Sequence, residues 1–378
     1  MMRLLCINRF APPDPAPTGR LLGDLRDELT RRGWEVAILS PSRNYRQGKG
    51  AGWRRWVGEL QAHWQIFLGA CLAKRPDVIL CLTDPPCLPV TAMIVARLRG
   101  AKLAHWAMDV YPQIAAALGE VSPNGLLFRL VKAATDAALR RCELIACLDE
   151  DMACAMGLQN DPRLMLCPPW PPQGLVLPET PTRPPTDSVR WLYSGNLGRA
   201  HDFETLLQTQ QILERAEAPF ALVFQGRGPC RELAIQRAKE LGLERCFWLD
   251  YAPDESLVES LLQAHVLVAS QKPETRGLLL PSKVSLMRLL PRPIAWVGPL
   301  DGGVAKQLLA DERGHQAFAC GDAAGLAAWL LVRSDQLHLD AQASFAPDEF
   351  RNTLHQQRES AANTWHERLC VLLGRSRE

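Results

Sequence analysis

The stretch YSGNLGRAHDFETLL, residues 193–207, decides which fold this sequence predicts. A run rich in β-formers, residues 189–193, ends in a Gly-Asn-Leu-Gly turn next to Arg199, and an apolar-periodic helix is expected to begin near Asp202. The glycines at 195 and 198 would let an anion approach backbone N–H groups at the positive end of that helix. The pattern predicts a phosphate-binding turn that opens a second α/β domain halfway along the chain.

Length supports two domains, because 378 residues exceed the size at which one hydrophobic core stops growing. We expect a Rossmann-like domain at residues 1–170, a stiff proline-rich linker at 171–188 and a second Rossmann-like domain at 189–345. A polar helix at 346–378 is expected to pack back on the first domain. The site is expected in a central cleft that the two domains face.

A strand-then-helix rhythm runs through both halves of the chain. Short apolar strands that do not alternate with polar residues are typical of a parallel sheet covered by helices on both faces. The predicted strands of the first half are residues 3–8, 35–40, 78–83, 102–108, 144–148 and 163–167. Those of the second half are residues 189–193, 220–225, 246–249, 266–270, 294–297 and 317–320. The predicted fold class is therefore α/β, with two doubly wound domains.

Composition excludes several function classes. The 43 basic and 41 acidic residues leave a net charge of only +2, which gives no reason to expect a nucleic-acid partner. The twelve cysteines are scattered without a CxxC pair, so we expect neither a metal site nor a disulfide framework. The N-terminal apolar run is too short for a signal peptide, and about 18 consecutive apolar residues occur nowhere. We expect a cytoplasmic protein, soluble or peripheral to a membrane.

Two further motifs of the second half could hold an anion. QGRGPCR, residues 225–231, places glycines and Arg227 between a strand and a helix. ETRGLLLPSK, residues 274–283, ends where the next helix begins, so Ser282 and Lys283 could offer a hydroxyl and a cation to a phosphate. Each motif alone also fits an ordinary helix start. Together with Arg199 they predict convergence on one diphosphate.

Polar residues of the first half also fall where strands end. His105 and Asp109 lie in HWAMDVYP, near the carboxyl end of the fourth strand, where doubly wound sheets place their ligands. The alternative for His105 is a satisfied core histidine. Thr18 and Gly19 close the loop PPDPAPTG after the first strand, which is either a ligand-facing loop or a turn with Thr18 as helix cap.

The predicted helix at residues 53–73 has aromatic and apolar residues at helical spacing: Trp53, Trp56, Leu60, Trp64, Phe67 and Cys71. Arg54 and Arg55 lie within it, and Arg46 and Lys49 precede it. Tryptophans beside cations suit a helix that lies on the inner face of the cytoplasmic membrane. The ordinary alternative is a core-facing stripe with a solvated basic edge.

Taken together, these motifs resemble one enzyme family. YSGNLGRAHDFETLL, FQGRGPCRELA and GLLLPSKVSLMRLLPRPIAWVG are similar to the C-terminal half of GT-B-fold glycosyltransferases of family 4. RPDVILCLTDPP and GAKLAHWAMDVYPQIAAALGEV resemble the N-terminal half of the bacterial exopolysaccharide, colanic-acid-type subset. The resemblance implies a retaining, metal-independent hexosyltransferase without a cofactor. It would move a sugar from a nucleotide diphosphate donor to a polysaccharide-precursor or polyprenyl-linked acceptor.

The same resemblance implies roles for individual residues. The donor would be bound by Gly195, Asn196, Gly198, Arg199, Arg227, Glu274, Gly277, Leu278, Ser282 and Lys283. The catalytic residues would be His105, Asp109, Arg199 and Lys283, and Thr18 with Gly19 would form the acceptor-side loop.

Some positions depart from the family pattern, which leaves alternatives open. Leu286 stands near the place of the second Glu of the family's Glu-x7-Glu pattern, so UDP and GDP sugars both remain candidate donors. Asn196 and His201 replace the Arg and Lys that many members carry in the turn. The rival functions are a nucleotide-sugar epimerase of the same architecture and a catalytically silent, membrane-associated binding scaffold.

Overall fold

The computed structural model describes residues 1–14, 16–41, 53–172, 174–178, 183–341 and 345–375. The chain forms two compact units. The first unit contains Met1–Gln173, Gly277–Leu280 and Leu354–Glu378, and the second contains Gly174–Arg276 and Pro281–Thr353. Parts of two predicted features, residues 173 and 179–182 of the linker and residues 46 and 49 before the second helix, lie outside the described residues.

The first unit is built on one parallel six-stranded sheet. Its strand order is β2-β1-β3-β4-β5-β6. The connections that leave β1 and β3 therefore run toward opposite edges of the sheet, which makes the space between these two strands a switch point. A doubly wound sheet binds ligands outside the carboxyl ends of its strands at such a switch point. The strands are β1 (Met2–Ile7), β2 (Trp34–Leu39), β3 (Val78–Cys81), β4 (Lys102–Trp106), β5 (Leu144–Cys147) and β6 (Leu164–Leu166).

Helices alternate with these strands. They are α1 (Pro17–Arg31), α2 (Trp53–Leu72), α3 (Leu88–Arg99), α4 (Gln113–Ala117), α5 (Leu126–Arg141) and α6 (Glu150–Ala155). The helix α1 begins two residues earlier than predicted because Pro17 occupies its first turn, where the missing N–H has no intrahelical partner to lose. Ala16 rather than Thr18 is its N-cap, so the alternative interpretation of Thr18 as a cap is wrong.

The second unit repeats the design with the strand order β12-β11-β10-β7-β8-β9. Numbered from β7, this is the Rossmann order 3-2-1-4-5-6 read from the opposite edge, with its switch point between β7 and β10. The strands are β7 (Val189–Ser194), β8 (Phe220–Gln225), β9 (Cys246–Leu249), β10 (Val266–Ser270), β11 (Ile294–Val297) and β12 (Gln316–Phe318).

Helices also follow the strands of the second unit. They are α7 (Glu204–Arg215), α8 (Arg231–Glu240), α9 (Asp254–Leu262), α10 (Lys283–Met287), α11 (Gly303–Leu309), α12 (Ala323–Val332) and α13 (Ser334–Asp340). A single 3₁₀ turn, Pro273–Thr275, precedes α10.

The last helix, α14 (Pro347–Leu372), returns to the first unit. Trp365 and Leu369 are fully buried in the first core. The Trp365 ring lies 5.2 Å from that of Trp106, which in turn lies 5.6 Å from Trp170. Three packed aromatic rings bury a large apolar area, so the end of the chain is an integral part of the first core.

All twelve cysteines are free thiols. Cys6, Cys81 and Cys142 are buried in the first core, where they pack as small apolar side chains. Burial raises the pKa of Cys6 and of Cys142 to about 12, so these thiols stay protonated and unreactive at physiological pH.

Candidate functional site

The site of the second unit lies at its switch point, where the connections after β7 and β10 meet. The Lys272 N–H donates to the carbonyl of Ala200 at 2.8 Å, and Nδ1 of His201 donates to the carbonyl of Ser270 at 2.6 Å. These two bonds tie the turn after β7 to the end of β10. The turn singled out by the sequence therefore occupies the usual ligand position of this fold.

The two glycine turns after β7 and β8 are packed against each other. The N–H groups of Gly195 and Leu197 donate to Gln225 and Arg227 carbonyls, each at 2.8 Å. Gly228 has a φ of +143°, and a Cβ there would lie 2.5 Å from the Leu197 carbonyl oxygen. Only glycine fits at position 228, because any side chain there would push the two turns apart.

This packing limits which N–H groups of the predicted phosphate-binding turn can reach a ligand. The Gly195 and Leu197 N–H groups are already occupied, whereas those of Asn196 and Gly198 have no partner among the described residues. The start of α7 is also occupied, because Asp202 accepts hydrogen bonds from the Thr205 N–H at 3.2 Å and the Thr205 hydroxyl at 2.5 Å. Positive charge at this site must therefore come mainly from side chains, not from the helix end.

Lys283 supplies such a charge at the turn. Its Nζ lies 3.5 Å from the centre of the Tyr193 ring and would be 3.4 Å from a Cβ on Gly195. The ammonium nitrogen is buried and has no hydrogen-bond partner among the described residues. Burial lowers the pKa of Lys283 well below its ordinary value. The cation–π contact offsets only part of the desolvation cost, so an anion is the partner that this ammonium lacks.

His201 contributes a neutral ring beside this lysine. Its bond to the Ser270 carbonyl requires the proton on Nδ1, which leaves Nε2 as an acceptor. Burial, helped by the positive charge of Lys283, lowers the pKa of His201 to about 3. A neutral histidine here avoids a second uncompensated charge, and its ring packs edge-on against Tyr193 at 5.9 Å.

Other predicted donor residues of the second unit are exposed. Asn196 and Arg199 are exposed on the turn itself, and Ser282 is exposed immediately before α10. Glu274 is exposed in the 3₁₀ turn, near enough to Cys320 for its charge to act on that thiol. Their donor contacts stay predictions.

Arg227 is turned toward the neighbouring strand end. Its Nε and Nη2 donate to the two carboxylate oxygens of Asp250 at 3.1 and 2.9 Å, and both side chains are exposed. An exposed pair of this kind contributes little to stability, so a competing anion could displace Asp250 at small cost.

Lys272 is a cation that the sequence reasoning missed. Its positive charge and that of Arg199 both lower the pKa of the Cys230 thiol, although burial raises that pKa more. Lys272 and Arg199 therefore both lie near Cys230, at the start of α8. Its position directly after β10 was the available signal, because every residue that follows a strand at a switch point faces the ligand edge.

In the first unit, the sequence-predicted residues His105 and Asp109 line one cavity of about 250 Å³. His105 is 3% exposed within β4, and its Nδ1 lies 3.0 Å from the Cys81 carbonyl oxygen. Burial lowers the pKa of His105 to about 4, so the ring is neutral at physiological pH. A neutral, fixed imidazole can accept a hydrogen bond but holds no proton to release from Nε2.

Two other predicted segments of this unit differ from expectation in position. Thr18 and Gly19 lie inside the first turn of α1, where the Thr18 hydroxyl accepts from Asn8 Nδ2 at 3.2 Å. The segment Gly277–Leu280 belongs to the first unit, where the carbonyl of Leu278 accepts from the Val110 N–H at 2.8 Å. Leu278 and Leu279 thus contact the loop that carries Asp109, and Gly277 lies against Asp151.

Sequence reasoning also missed Arg9, which follows β1 at the switch point of the first sheet. Its side chain is 1% exposed, donates from Nε to Asp84 at 2.7 Å and pairs with Glu59. Two carboxylates therefore compensate this buried guanidinium, in contrast to the unpartnered Lys283. Nothing in the local sequence around Arg9 indicates partners that lie 50 and 75 residues away.

No helix of the described residues is both long enough and apolar enough to cross a membrane.

Comparison with known sequences gives one curated relative. No protein-family model matches the chain. The sequence is 25% identical over 255 residues to a probable glycosyltransferase, WbjE, of Pseudomonas aeruginosa. The match covers 64% of this chain and 62% of that protein, which is less than two thirds of the relative's length.

Comparison with solved structures identifies the fold. Sucrose-phosphate synthase of Thermosynechococcus elongatus has a TM-score of 0.69 at 13% identity, covering 99% of this chain and 100% of that one. Anabaena HepE in complex with UDP gives 0.62 at 12% identity, covering 98% and 100%. WaaG, a glycosyltransferase involved in lipopolysaccharide biosynthesis, gives 0.61 at 15% identity, covering 96% and 99%. The predicted two-domain α/β fold of GT-B glycosyltransferases is confirmed.

Proposed function

We propose that this chain is a retaining glycosyltransferase of family 4, in the exopolysaccharide subset. It would transfer a hexose from a nucleotide diphosphate donor to a polysaccharide-precursor or lipid-linked acceptor. The observation that carries this proposal is the buried ammonium of Lys283, which has no hydrogen-bond partner among the described residues and lies beside Gly195. A diphosphate is the chemical group that this position lacks.

The proposed mechanism uses charge at the leaving group. When the bond between the sugar and the diphosphate breaks, negative charge grows on the diphosphate oxygen. Lys283 and the exposed Arg199 would stabilise that charge more in the transition state than in the ground state. A preorganised donor of this type is typically worth about 3 kcal/mol of barrier lowering. The departing oxygen would accept the acceptor's proton, so no protein nucleophile is required.

Side-chain cations would take the place of a metal ion in this mechanism. Lys283, Arg199 and Lys272 surround the turn with positive charge. These residues support a metal-independent reaction without a cofactor. Asn196 would add a hydrogen bond from its exposed amide.

The nucleotide is proposed to be uridine or guanosine diphosphate. HepE, whose fold this chain shares, was solved with UDP. Leu286 stands near the position where the family pattern has its second Glu, so we expect hydrogen bonds to the ribose to be weak. Selectivity between UDP and GDP must then come from contacts to the base.

A donor screen tests the function directly. Nucleotide sugars and free UDP and GDP are added to the purified protein, and the melting temperature is measured for wild type and Lys283→Met. We expect one nucleotide series to raise the wild-type melting temperature and to have little effect on the variant. Equal stabilisation of both proteins would contradict the proposal. Incubating the selected donor without acceptor separates the epimerase, which alone would interconvert the sugar. Donor binding without turnover on any acceptor would favour the silent scaffold.

The partner surface proposed on the first unit is the inner face of the cytoplasmic membrane. Of the predicted stripe on α2, Leu60 and Trp64 are exposed by 70% and 60%, whereas Phe67 and Cys71 pack against the core. The helices α2, α3 and α5 are neighbours, and each has exposed large apolar residues. We call this set the apolar face; it consists of Val57, Leu60, Trp64, Leu68, Leu72, Ile94, Leu98, Leu126, Leu127 and Leu130.

The charges around the apolar face indicate anionic lipid as the occupant. Exposed basic residues lie on the same helices, namely Arg97, Arg129, Arg140 and Arg141. The two acidic residues of these helices are Glu59, which is buried against Arg9, and Asp136, which pairs with Lys132 at 2.6 Å. Among the described side chains of α2, α3 and α5, the exposed charges are therefore all positive. Apolar residues within a basic frame are what a peripheral protein needs on an anionic bilayer.

Vesicle co-sedimentation tests this surface. We expect binding to vesicles that contain phosphatidylglycerol and much less to phosphatidylcholine alone. Replacing Leu60 and Trp64 by serine should weaken binding about tenfold or more, because each buried side chain contributes roughly 1.5–3 kcal/mol. Leu233→Ser with Leu309→Ser, two exposed leucines of the second unit, is the matched control. Failure of the wild type to sediment with anionic vesicles would remove the membrane from the proposal.

A further inference from the structure

The cavity of the first unit has a wall of mixed chemistry. It lies at the carboxyl ends of β3 and β4, between the start of α3, the start of α4 and the middle of α5. Pro89, Val110 and Leu139 form an apolar part of its wall, and Gln113, Lys132 and Thr135 form a polar part. All of its lining residues belong to the first unit. The cavity is therefore formed within one unit.

Two polar atoms at this cavity have no partner among the described residues. Thr135 is 5% exposed, and its hydroxyl makes no hydrogen bond. Burial raises the pKa of the nearby Cys87 thiol and the Thr135 hydroxyl lowers it, but the two groups do not reach ordinary hydrogen-bond geometry. Sulfur is also a weak acceptor. The side-chain oxygen of Gln113 is also buried and unpartnered. Buried polar groups are nearly always hydrogen-bonded, so these two indicate a ligand or water inside the cavity.

Several polar groups at this wall can accept hydrogen bonds. His105 has its Nδ1 proton bound to the Cys81 carbonyl, which leaves Nε2 with a lone pair. The Gln113 oxygen and the carboxylate of Asp136 are further acceptors, and Lys132 is held by Asp136 at 2.6 Å. A matching ligand must donate several hydrogen bonds without carrying a negative charge. It must also present an apolar surface to Pro89, Val110 and Leu139.

We propose that this cavity binds one pyranose ring, through ring hydroxyl groups that reach Thr135 and Gln113. A pyranose has hydroxyl donors at its edge and C–H groups on its faces, which matches the two parts of the wall. The volume of about 250 Å³ is just below the roughly 300–1,000 Å³ typical of drug-sized ligands, so it suits a single ring. The assignment of this ring as the terminal sugar of the acceptor rests on the proposed transferase function; the binding itself does not.

Ligand-observed saturation-transfer NMR tests the site on the full chain. The probes are methyl α- and β-glycosides of glucose, galactose, mannose and N-acetylglucosamine, at roughly millimolar to tens of millimolar concentration because a single ring binds weakly. Thr135→Val and Gln113→Met remove the two unpartnered groups while keeping side-chain size. Thr30→Val, on the exposed side of α1, is the matched control.

We expect at least one glycoside to receive saturation from the wild type, with its dissociation constant raised roughly 2- to 10-fold in Thr135→Val and in Gln113→Met. The control should bind like wild type. Neither variant should melt at a lower temperature, because each removes an unsatisfied buried group. The proposal is overturned if no glycoside of the panel receives saturation, or if both variants bind as tightly as wild type, which would mean that the cavity holds only water. Nucleotide binding, measured separately, reports on the proposed function and should be unchanged in both variants.

Discussion

Replacing Lys283 by methionine should weaken nucleotide binding but leave the protein at least as stable as wild type. Methionine keeps most of the length of the side chain and its apolar stem but removes the ammonium that lies over the Tyr193 ring. In the wild type, the buried ammonium has no hydrogen-bond partner among the described residues, and an unsatisfied buried polar group costs about 1–3 kcal/mol or more when charged. The variant should therefore be at least as stable as wild type. Each kcal/mol gained in a unit of this size raises the melting temperature by about 2–4 °C.

Affinity for the nucleoside diphosphate selected in the donor screen should change the other way. A hydrogen bond to a charged group contributes about 1.5–3 kcal/mol, which corresponds to a loss of about 10- to 150-fold in affinity. Isothermal titration calorimetry measures this loss and differential scanning fluorimetry measures the melting temperature. Lys306→Met, which removes a lysine of α11, is a suitable control for loss of one positive charge. The reasoning is refuted if Lys283→Met binds the nucleotide like wild type, or if it melts clearly below wild type.

Three further outcomes follow from the same charges. Burial lowers the pKa of Lys283 in the free protein and a bound diphosphate would raise it, so nucleotide binding should take up protons. Nucleotide affinity should therefore fall as the pH rises above the pKa of Lys283 in the free protein. Calorimetry in buffers of different ionisation enthalpy measures the proton uptake, and none is expected from this site in Lys283→Met. Arg199→Ala should weaken nucleotide binding about tenfold. Arg227→Ala should change it less than about threefold, because exposed Asp250 holds the Arg227 guanidinium in the wild type. Similar losses of affinity in both variants would contradict the different roles of the two arginines. Excess EDTA should leave donor turnover unchanged, and activity restored only by a divalent cation would disprove metal independence.

The bounds of several strands could be predicted closely, because a continuous apolar run is typical of a strand that is buried on both faces. The residues of β8 and β10 are buried along their whole length, and the apolar runs Phe220–Gln225 and Val266–Ser270 have the same bounds in sequence and structure. Element ends were less accurate where a local residue decided them. Pro17 starts α1, and Asp149 caps the short α6 by accepting a hydrogen bond from the Met152 N–H at 2.7 Å, although neither boundary shows in the apolar pattern.

The site was predictable in its location but not in its hydrogen bonding. Sequence order places Gly195 after β7, and the fold class alone places that position at a ligand edge. It does not reveal that Arg227 and Gln225 carbonyls take up the Gly195 and Leu197 N–H groups, because this depends on how closely two glycine turns approach each other. The burial of the Lys283 ammonium over Tyr193 depends likewise on a contact between residues far apart in sequence.

The contrast between Arg9 and Lys283 explains why the second of these is the functional candidate. Both cations are buried at the switch point of a parallel sheet, but Arg9 is paired with Asp84 and Glu59, whereas Lys283 faces an aromatic ring and a glycine. Replacing Arg9 by a neutral side chain would remove the cation that Asp84 and Glu59 share, and breaking a buried ion pair in this way typically costs about 3–5 kcal/mol. Lys283 has no such carboxylate partner among the described residues, and burial lowers its pKa well below the ordinary value. If the proposed diphosphate supplies the anion that Lys283 lacks, nucleotide binding should increase the stability of the wild type by more than removal of the charge does.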